Sequence, residues 1–395
     1  MKARTAQSKS FATHDGEELF YRVWPALSGT PRGAIVLLHR GHEHSGRMEH
    51  LAHELGLPDF DIFAWDARGH GRSPGPRGYS PSVGTSIRDV HSFIDHIGEA
   101  HGFAHKDIAV VGQSVGAVLA AAWVHDYAPG IRALVLASPA FRSKLYVPLA
   151  RPVLRLARKA KGNFFVYSYV KANFLTHDPE RSASYEADEL IARPISVDML
   201  LGMHDVSERI VADAAAIVTP TQLLISGSDW VVEDAPQHKF FERLGSVKKE
   251  RHVLDGFYHD TLGERDRMLA IDKARTFITD CFAAEPSPPS LINADKTGYT
   301  RREADELASP LPALSPRGWY WRAMRQVLKL GSYLSQGLRI GHEAGFDSGR
   351  MLDYVYKNEA IGLTPAGRAI DRNYLNSVGW AGIRQRKVHI EELLH

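Results

Sequence analysis

The pentapeptide Gly112-Gln113-Ser114-Val115-Gly116 sets a serine between two glycines. Taken alone, a Gly-x-Ser-x-Gly pattern is weak, because both residue types are common. Its flanks make it informative. It follows the apolar run IAVVG and opens the alanine-rich stretch AVLAAAWVHDY. A strand that turns sharply into a helix lifts the serine Oγ above the sheet edge, close to the positive end of the helix. Glycines on either side remove Cβ atoms that would clash in so tight a turn. A serine held this way can attack an acyl carbonyl. The bland reading is a small-residue turn between a strand and a helix, with no chemistry.

Such a nucleophile needs a base, and the base needs an orienting acid. Downstream, LLISGSDWVV sets Asp229 behind one apolar run and GFYHD sets His259 behind the next strand. The order Ser114, Asp229, His259 is the one that strand–turn–helix serine nucleophiles use. His259 would take the Ser114 proton and return it to the leaving group, while Asp229 orients and stabilises the imidazolium. In a chain with 20 histidines a loop histidine is commonly a surface residue; this one follows a matched aspartate. Asp234 and Asp255 compete as the acid. Asp255 sits too early in the histidine's own loop to reach the far side of the ring easily, so Asp229 is preferred.

Upstream, AIVLLH runs into His39-Arg40-Gly41-His42-Glu43-His44-Ser45-Gly46. A turn at this position supplies one oxyanion N–H, and the residue after the nucleophile supplies the other. The donors are then the backbone amides of Gly41, with Arg40 as the alternative, and Val115. In a water-poor pocket each contributes on the order of 3 kcal/mol to the transition state. His39, His42, Glu43 and His44 also invite a metal reading. Their spacing is not that of a helical HExxH site and the segment reads as loop, so no metal is expected.

These residues need a frame that brings them together. Glu18–Val23, Ala34–His39, Asp61–Trp65, Ile108–Gly112, Arg132–Ala137, Gln222–Ser226 and Lys249–Leu254 read as strands. Between them lie helical patterns such as Thr85–Glu99, with Ile87, Val90, Phe93, Ile94 and Ile97 at helical spacing. Continuous apolar strands alternating with helices predict an α/β fold, a mostly parallel sheet covered on both faces. From about residue 140 to 216 the pattern turns helical with no buried strand, which predicts a cap over the strand C-termini. Residues 1–285 then form one domain. A Pro/Ser-rich linker follows at 286–318, containing PSPPS and SPLPALSPRG, and a mainly helical extension at 319–395.

Bulk properties set limits. The 395 residues carry Lys+Arg 48 against Asp+Glu 46, a net charge of +2, so nothing in the charge points to nucleic acid. One cysteine, Cys281, excludes an intramolecular disulfide. The first residues lack the apolar core of a signal peptide, and no apolar run reaches the roughly 18 residues of a membrane span, so a cytoplasmic location is expected.

Together, His39–Arg47, Asp66-Ala67-Arg68-Gly69-His70-Gly71-Arg72-Ser73, Gly112–Gly116 and the Asp229 and His259 segments resemble the monoacylglycerol lipase and lysophospholipase group of α/β-hydrolases, which is serine aminopeptidase S33-like. The resemblance implies the α/β-hydrolase fold, a carboxylic-ester substrate with a lipid or acyl chain, and no cofactor. It also makes Asp66–Ser73 a structural signature whose charges brace a loop. One departure stands out. The group usually has His-Gly at the start of the oxyanion turn, and here the second residue is Arg40. Its side chain must find room near the pocket, which leaves the donor assignment and the pocket shape open. Relatives with this elbow also cleave amides, peptides or thioesters, as in proline-type aminopeptidases and thioesterases. A non-catalytic scaffold is the third reading, against which the intact Ser–Asp–His order argues.

The C-terminal stretches GHEAGFDSGRMLDYVYKN and IDRNYLNSVGWAGIRQRKVHIEELL resemble the lead-in of a class I methyltransferase fused to such hydrolases in bacteria. A glycine-rich S-adenosylmethionine loop should come next and is not in the sequence, so no cofactor site is expected here, and a methyltransferase is the implied partner. Finally, Arg142, Lys144, Arg151, Arg155, Arg158, Lys159, Lys161 and Lys171 crowd the cap without an acid among them, interleaved with apolar residues. That composition suits peripheral contact with an anionic membrane, and equally a solvated helix face.

Overall fold

The computed structural model describes residues 4–144, 150–168, 170–285, 292, 296, 298–312 and 314–394. The chain divides into two compact units, Met1–Ala304 and Asp305–His395.

In the first unit the strands are β1 (Gln7–Ala12), β2 (Glu18–Trp24), β3 (Gly33–Leu38), β4 (Phe60–Trp65), β5 (Ile108–Gln113), β6 (Ala133–Ala137), β7 (Phe165–Tyr167), β8 (Pro194–Ser196), β9 (Thr221–Ser226) and β10 (Lys249–Leu254). Eight of them form one sheet in the order β1-β2-β4-β3-β5-β6-β9-β10. β1, β2 and β4 pair antiparallel, and every pair from β4 to β10 is parallel. The chain passes from β4 to β5 on opposite sides of β3, so a crevice opens at the C-terminal ends of β3 and β5.

The helices are α1 (Glu49–Glu54), α2 (Val83–His101), α3 (Val115–Tyr127), α4 (Ala150–Lys161), α5 (Pro179–Ala187), α6 (Val197–Ala212), α7 (Ala235–Arg243) and α8 (Met268–Ala283). Successive strand residues feed opposite cores, as a period of two requires. Val36, Leu38, Val110, Leu134 and Leu136 join α2, α3 and α6 on one face. Ile35, Leu37, Ala109, Val111 and Val135 join α1 and α8 on the other. Helix α2 starts where the Ser82 hydroxyl accepts from Thr85 N–H and ends at Gly102, whose φ of +79° suits a glycine C-cap.

Two features were not legible as strands. β1 is an edge strand, QSKSFA, in which only Phe11 is buried, so no apolar alternation marks it. β7 and β8 pair with each other inside the cap and run three residues each, too short for a periodic signal. The cap therefore combines α4, α5 and a small antiparallel ribbon. Helix α6 ends the excursion by joining the sheet's own core, through Ile210 and Val211.

Of the stretch read as linker, residues 286–291 lie outside the described residues, but Tyr299–Ala308 form helix α9. Arg, Glu, Ala and Leu dominate that segment, and they are good helix formers. The second unit contains α10 (Pro316–Gly331), α11 (Gln336–Ala344), α12 (Gly349–Lys357), α13 (Pro365–Leu375) and α14 (Val378–Leu394). Ser315, Ser335, Ser348 and Thr364 each accept a backbone N–H at a helix start. The unit closes on a small core of Ile340, Met351, Tyr354, Val355 and Leu375. No helix among the described residues is long and apolar enough to cross a membrane.

Candidate active site

Ser114 caps β5 at the start of α3 with φ +56° and ψ −114°, a backbone conformation that L-residues seldom adopt. Such a position costs about 1–3 kcal/mol and persists only where the surroundings impose it. Here they do. Ser114 N–H donates to Ala137 O at 2.9 Å, and Ser114 O accepts from Val118 at 3.1 Å and Ala140 at 3.2 Å.

Tertiary folding brings the three sequence-selected side chains into one line. His259 Nε2 lies 2.7 Å from Ser114 Oγ, and His259 Nδ1 lies 2.7 Å from Asp229 Oδ2. Asp229 Oδ1 accepts from the N–H groups of Val231 and Val232 at 2.7 and 2.9 Å. Burial opposes ionisation of Asp229, but the adjacent His259 and these two N–H groups outweigh it and lower its pKa below the usual aspartate value. The competing acids, Asp234 and Asp255, are exposed. Behind the histidine, Thr261 Oγ donates to Ser138 Oγ at 2.8 Å, and Ser138 Oγ accepts Ser226 N–H at 3.1 Å. These bonds tie the His259 loop to the ends of β6 and β9.

Gly41 lies against Val115: a Cβ on Gly41 would stand 3.0 Å from Val115 Cγ2. Both residues line one cavity with Ser114 and His259. The Arg40 side chain is buried in an ion cluster, donating to Glu43 at 2.9 and 2.5 Å and lying 3.5 Å from Asp260. Burial works against its cation, yet the carboxylates of Asp260 and Glu43 more than offset this and raise its pKa above the usual arginine value.

The remaining residues of the turn hold backbone and cap. His39 Nδ1 faces Arg40 O at 2.6 Å while its Nε2 accepts Ala67 N–H at 3.0 Å, which requires a neutral ring. His42, at φ +71°, places Nδ1 2.5 Å from Ala192 O, and Ala192 N–H donates back to His42 O at 2.9 Å. His44 Nε2 lies 2.9 Å from Asp188 Oδ2. In the Asp66–Ser73 loop, Asp66 accepts Ser45 N–H at 2.6 Å and Arg72 N–H at 2.7 Å, and Arg68 donates to both oxygens of Asp89. Asp66 thus ties the loop to the turn after β3, and Arg68 ties it to α2.

The cavity over Ser114 measures about 330 Å³. Its wall is largely cap: Leu154 of α4, Val166 and Tyr167 of β7, Tyr185 of α5, and Leu200, Leu201 and Met203 of α6. The basic residues of α4 are partly matched: Arg155 pairs with Asp205 and Arg158 with Asp198, both on α6. Leu145, Tyr146, Val147 and Leu149, counted with them in the sequence, lie outside the described residues.

Some buried or partly buried polar residues at the site were not foreseen. Asp260 and Arg181 join Arg40 in its cluster. Glu264 accepts from the N–H groups of His177, Tyr258 and Arg265, fastening the cap to the histidine loop. Nothing in the sequence separates these from other charged residues.

A mostly parallel sheet, a serine at a strand-to-helix elbow and a cap over the strand ends define the α/β-hydrolase fold. Residues 29–266 match the family described as "Serine aminopeptidase, S33", and the chain belongs to this hydrolase family. Residues 274–395 match a second family, described as "Putative methyltransferase". The uncharacterized protein YnbC of Escherichia coli is 52% identical over 384 residues, which is 97% of this chain but 66% of that protein's length. The monoacylglycerol lipase of Mycolicibacterium smegmatis is 28% identical over 287 residues, covering 70% of this chain and 99% of the lipase. Among solved structures, the Paleococcus ferrophilus monoacylglycerol lipase is similar with a TM-score of 0.60 at 25% identity, over 67% of this chain and 99% of that one.

Proposed function

We propose that this chain hydrolyses the carboxylic ester of a lipid, a monoacylglycerol or lysophospholipid, through an acyl-Ser114 intermediate. The observation that carries the reading is the unbroken hydrogen-bonded line Asp229–His259–Ser114 at the floor of an apolar cavity. His259 Nε2 takes the Ser114 proton as Oγ attacks the ester carbonyl, and Asp229 holds the ring and offsets its charge. The carbonyl oxygen, now negative, turns toward the amides of Gly41 and Val115. Collapse expels the alcohol, which leaves with the proton from His259. Water then repeats the sequence and releases the fatty acid. An acyl chain fits the cavity's apolar wall, and the two lipase relatives support the choice of substrate.

Amides, peptides and thioesters are the competing substrates, and a substrate panel separates them. Monoacylglycerols, lysophospholipids and p-nitrophenyl esters of graded chain length should be turned over faster than aminoacyl amides or acyl thioesters. Fluorophosphonate labelling decides between an enzyme and a scaffold. Wild type should label and Ser114→Ala should not; equal labelling of the two, or none in wild type, overturns the reading.

The cap supports a second reading, peripheral attachment to anionic lipid. On α4 and β7, Val153, Leu156, Phe165 and Tyr167 are exposed beside Lys159 and Lys161. Vesicles containing anionic lipid should sediment with the protein and neutral ones should not; equal sedimentation removes the reading. For residues 319–395 the family match supports the lead-in of a methyltransferase domain, attached or separate, as the partner.

A further inference from the structure

Asp260 follows the base histidine directly, and its carboxylate is fully enclosed at 1% exposure. The elbow, the oxyanion turn and the cap all reach it. Its Oδ1 accepts from Nε2 of Gln113, the residue before Ser114, at 2.9 Å. Its Oδ2 accepts from Nε of Arg181 on α5 and lies 3.5 Å from Arg40 Nη2. Its own N–H donates to Leu175 O in the cap at 2.7 Å. Arg181 continues the chain, donating to Arg47 O at 3.2 Å, and Arg40 clasps Glu43 beside it. The buried Arg40 and the partly exposed Arg181 thus stand against two buried carboxylates, Asp260 and Glu43. In a low-dielectric interior a satisfied network of this kind is stiff, and removal of one member leaves an uncompensated charge.

We propose that Asp260, with Arg40 and Arg181, is a positioning device that holds the Gly41 amide and the His259 ring in register with Ser114. The proposal rests on the hydrolase reading above. Arg40 immediately precedes Gly41, so a guanidinium pinned from both sides fixes the turn that aims the Gly41 N–H. Asp260 is peptide-bonded to His259, so the same carboxylate fixes where the imidazole starts. Arg181 makes the arrangement depend on the cap being seated. Asp260 and Arg181 do not line the cavity over Ser114, and the contribution of the cluster is geometric. A displacement of about 1 Å at such a centre is worth roughly 100-fold in rate.

The test uses the full chain with Asp260→Asn and Arg181→Gln. Each preparation is titrated to completion with a fluorophosphonate, and kcat and KM for a p-nitrophenyl ester are expressed per titrated site. Both variants are expected to lose about 10- to 100-fold in kcat with KM changed by less than about threefold. Affinity for an alkyl boronic acid, which needs the oxyanion donors, should fall in parallel. A merely structural role would lower the titrated fraction and leave kcat per site intact, and that result overturns the proposal. If Asp260→Asn does not fold, Arg181→Gln, whose side chain is 16% exposed, decides alone. Wild type that fails to label removes the hydrolase reading, and this inference with it.

Discussion

Gly116 packs against the backbone of Leu38 so closely that a Cβ on it would stand 2.3 Å from the Leu38 carbonyl oxygen. His39 O would be 2.5 Å away, so the obstacle is backbone on the neighbouring strand and not a side chain that can turn aside. The Ser114 elbow and the turn that begins at His39 are therefore in direct contact. Gly116→Ala must push them apart and should cost about 2–3 kcal/mol. Gly130, where a Cβ meets nothing within 4 Å, is the control. Urea unfolding should show a large loss for Gly116→Ala and a change under about 0.5 kcal/mol for Gly130→Ala.

The acid assignment makes a separate prediction. Ser114→Ala and His259→Ala should each lower kcat by about a millionfold, and Asp229→Asn by about ten-thousandfold, because an orienting carboxylate contributes less than the groups it orients. Asp255→Asn should leave turnover unchanged. A silent Asp229→Asn beside a damaging Asp255→Asn would reverse the assignment.

Asp66 is buried, and each of its oxygens accepts a backbone N–H, from Ser45 and from Arg72. In Asp66→Asn one of those N–H groups must face an amide NH₂ instead of an acceptor. The expected cost is about 2–3 kcal/mol, read as a lower thermal midpoint. An unchanged midpoint would mean that the loop is not braced through this carboxylate.

Acid sensitivity follows from partly buried histidines. Burial lowers the pKa of His42 and of His50 to about 4 each, and of His70 to about 3, from an ordinary 6.5. Around His42, the cations of Arg40 and Arg193 add to burial, while Ala192 O and Glu43 oppose it. The unfolded chain takes up these protons near pH 6.5 and the folded chain resists them. The stabilisation is thus complete above about pH 6.5 and is lost as pH falls toward 4. Thermal midpoints measured from pH 7.5 to 4.5 should decline over that interval, and His42→Asn should make the decline shallower. A flat profile would contradict the histidine assignment.

Much of the site was legible because its residues sit behind recognisable strands. Ser114 and Asp229 each follow an apolar run and His259 follows the edge strand KERHVL, and the strand ends mark the C-terminal edge of a parallel sheet, where loops converge. The same reasoning could not reach β1, whose lone buried Phe11 makes no pattern, or β7 and β8, which exist only because each pairs with the other. Nor could it reach Asp260, Arg181 or Glu264, since a charge that will be buried looks like any other charge until its partner arrives.

Arg40 marks the boundary between the two kinds of information. The sequence by itself determined the chain order Ser114, Asp229, His259, the strand ends that present them, and the glycines that let the elbow turn. Those depend on periodicity and turn chemistry within a few consecutive residues. Only the tertiary structure decided that Asp229 faces the imidazole while Asp255 faces solvent, that the Arg40 guanidinium pairs with Glu43 and lies against Asp260, and that Arg155 and Arg158 meet acids on α6. The Asp229–His259 and Arg40–Asp260 contacts join residues far apart in the sequence, settled by which loops meet over the sheet and by the cost of leaving a buried charge without a counterpart.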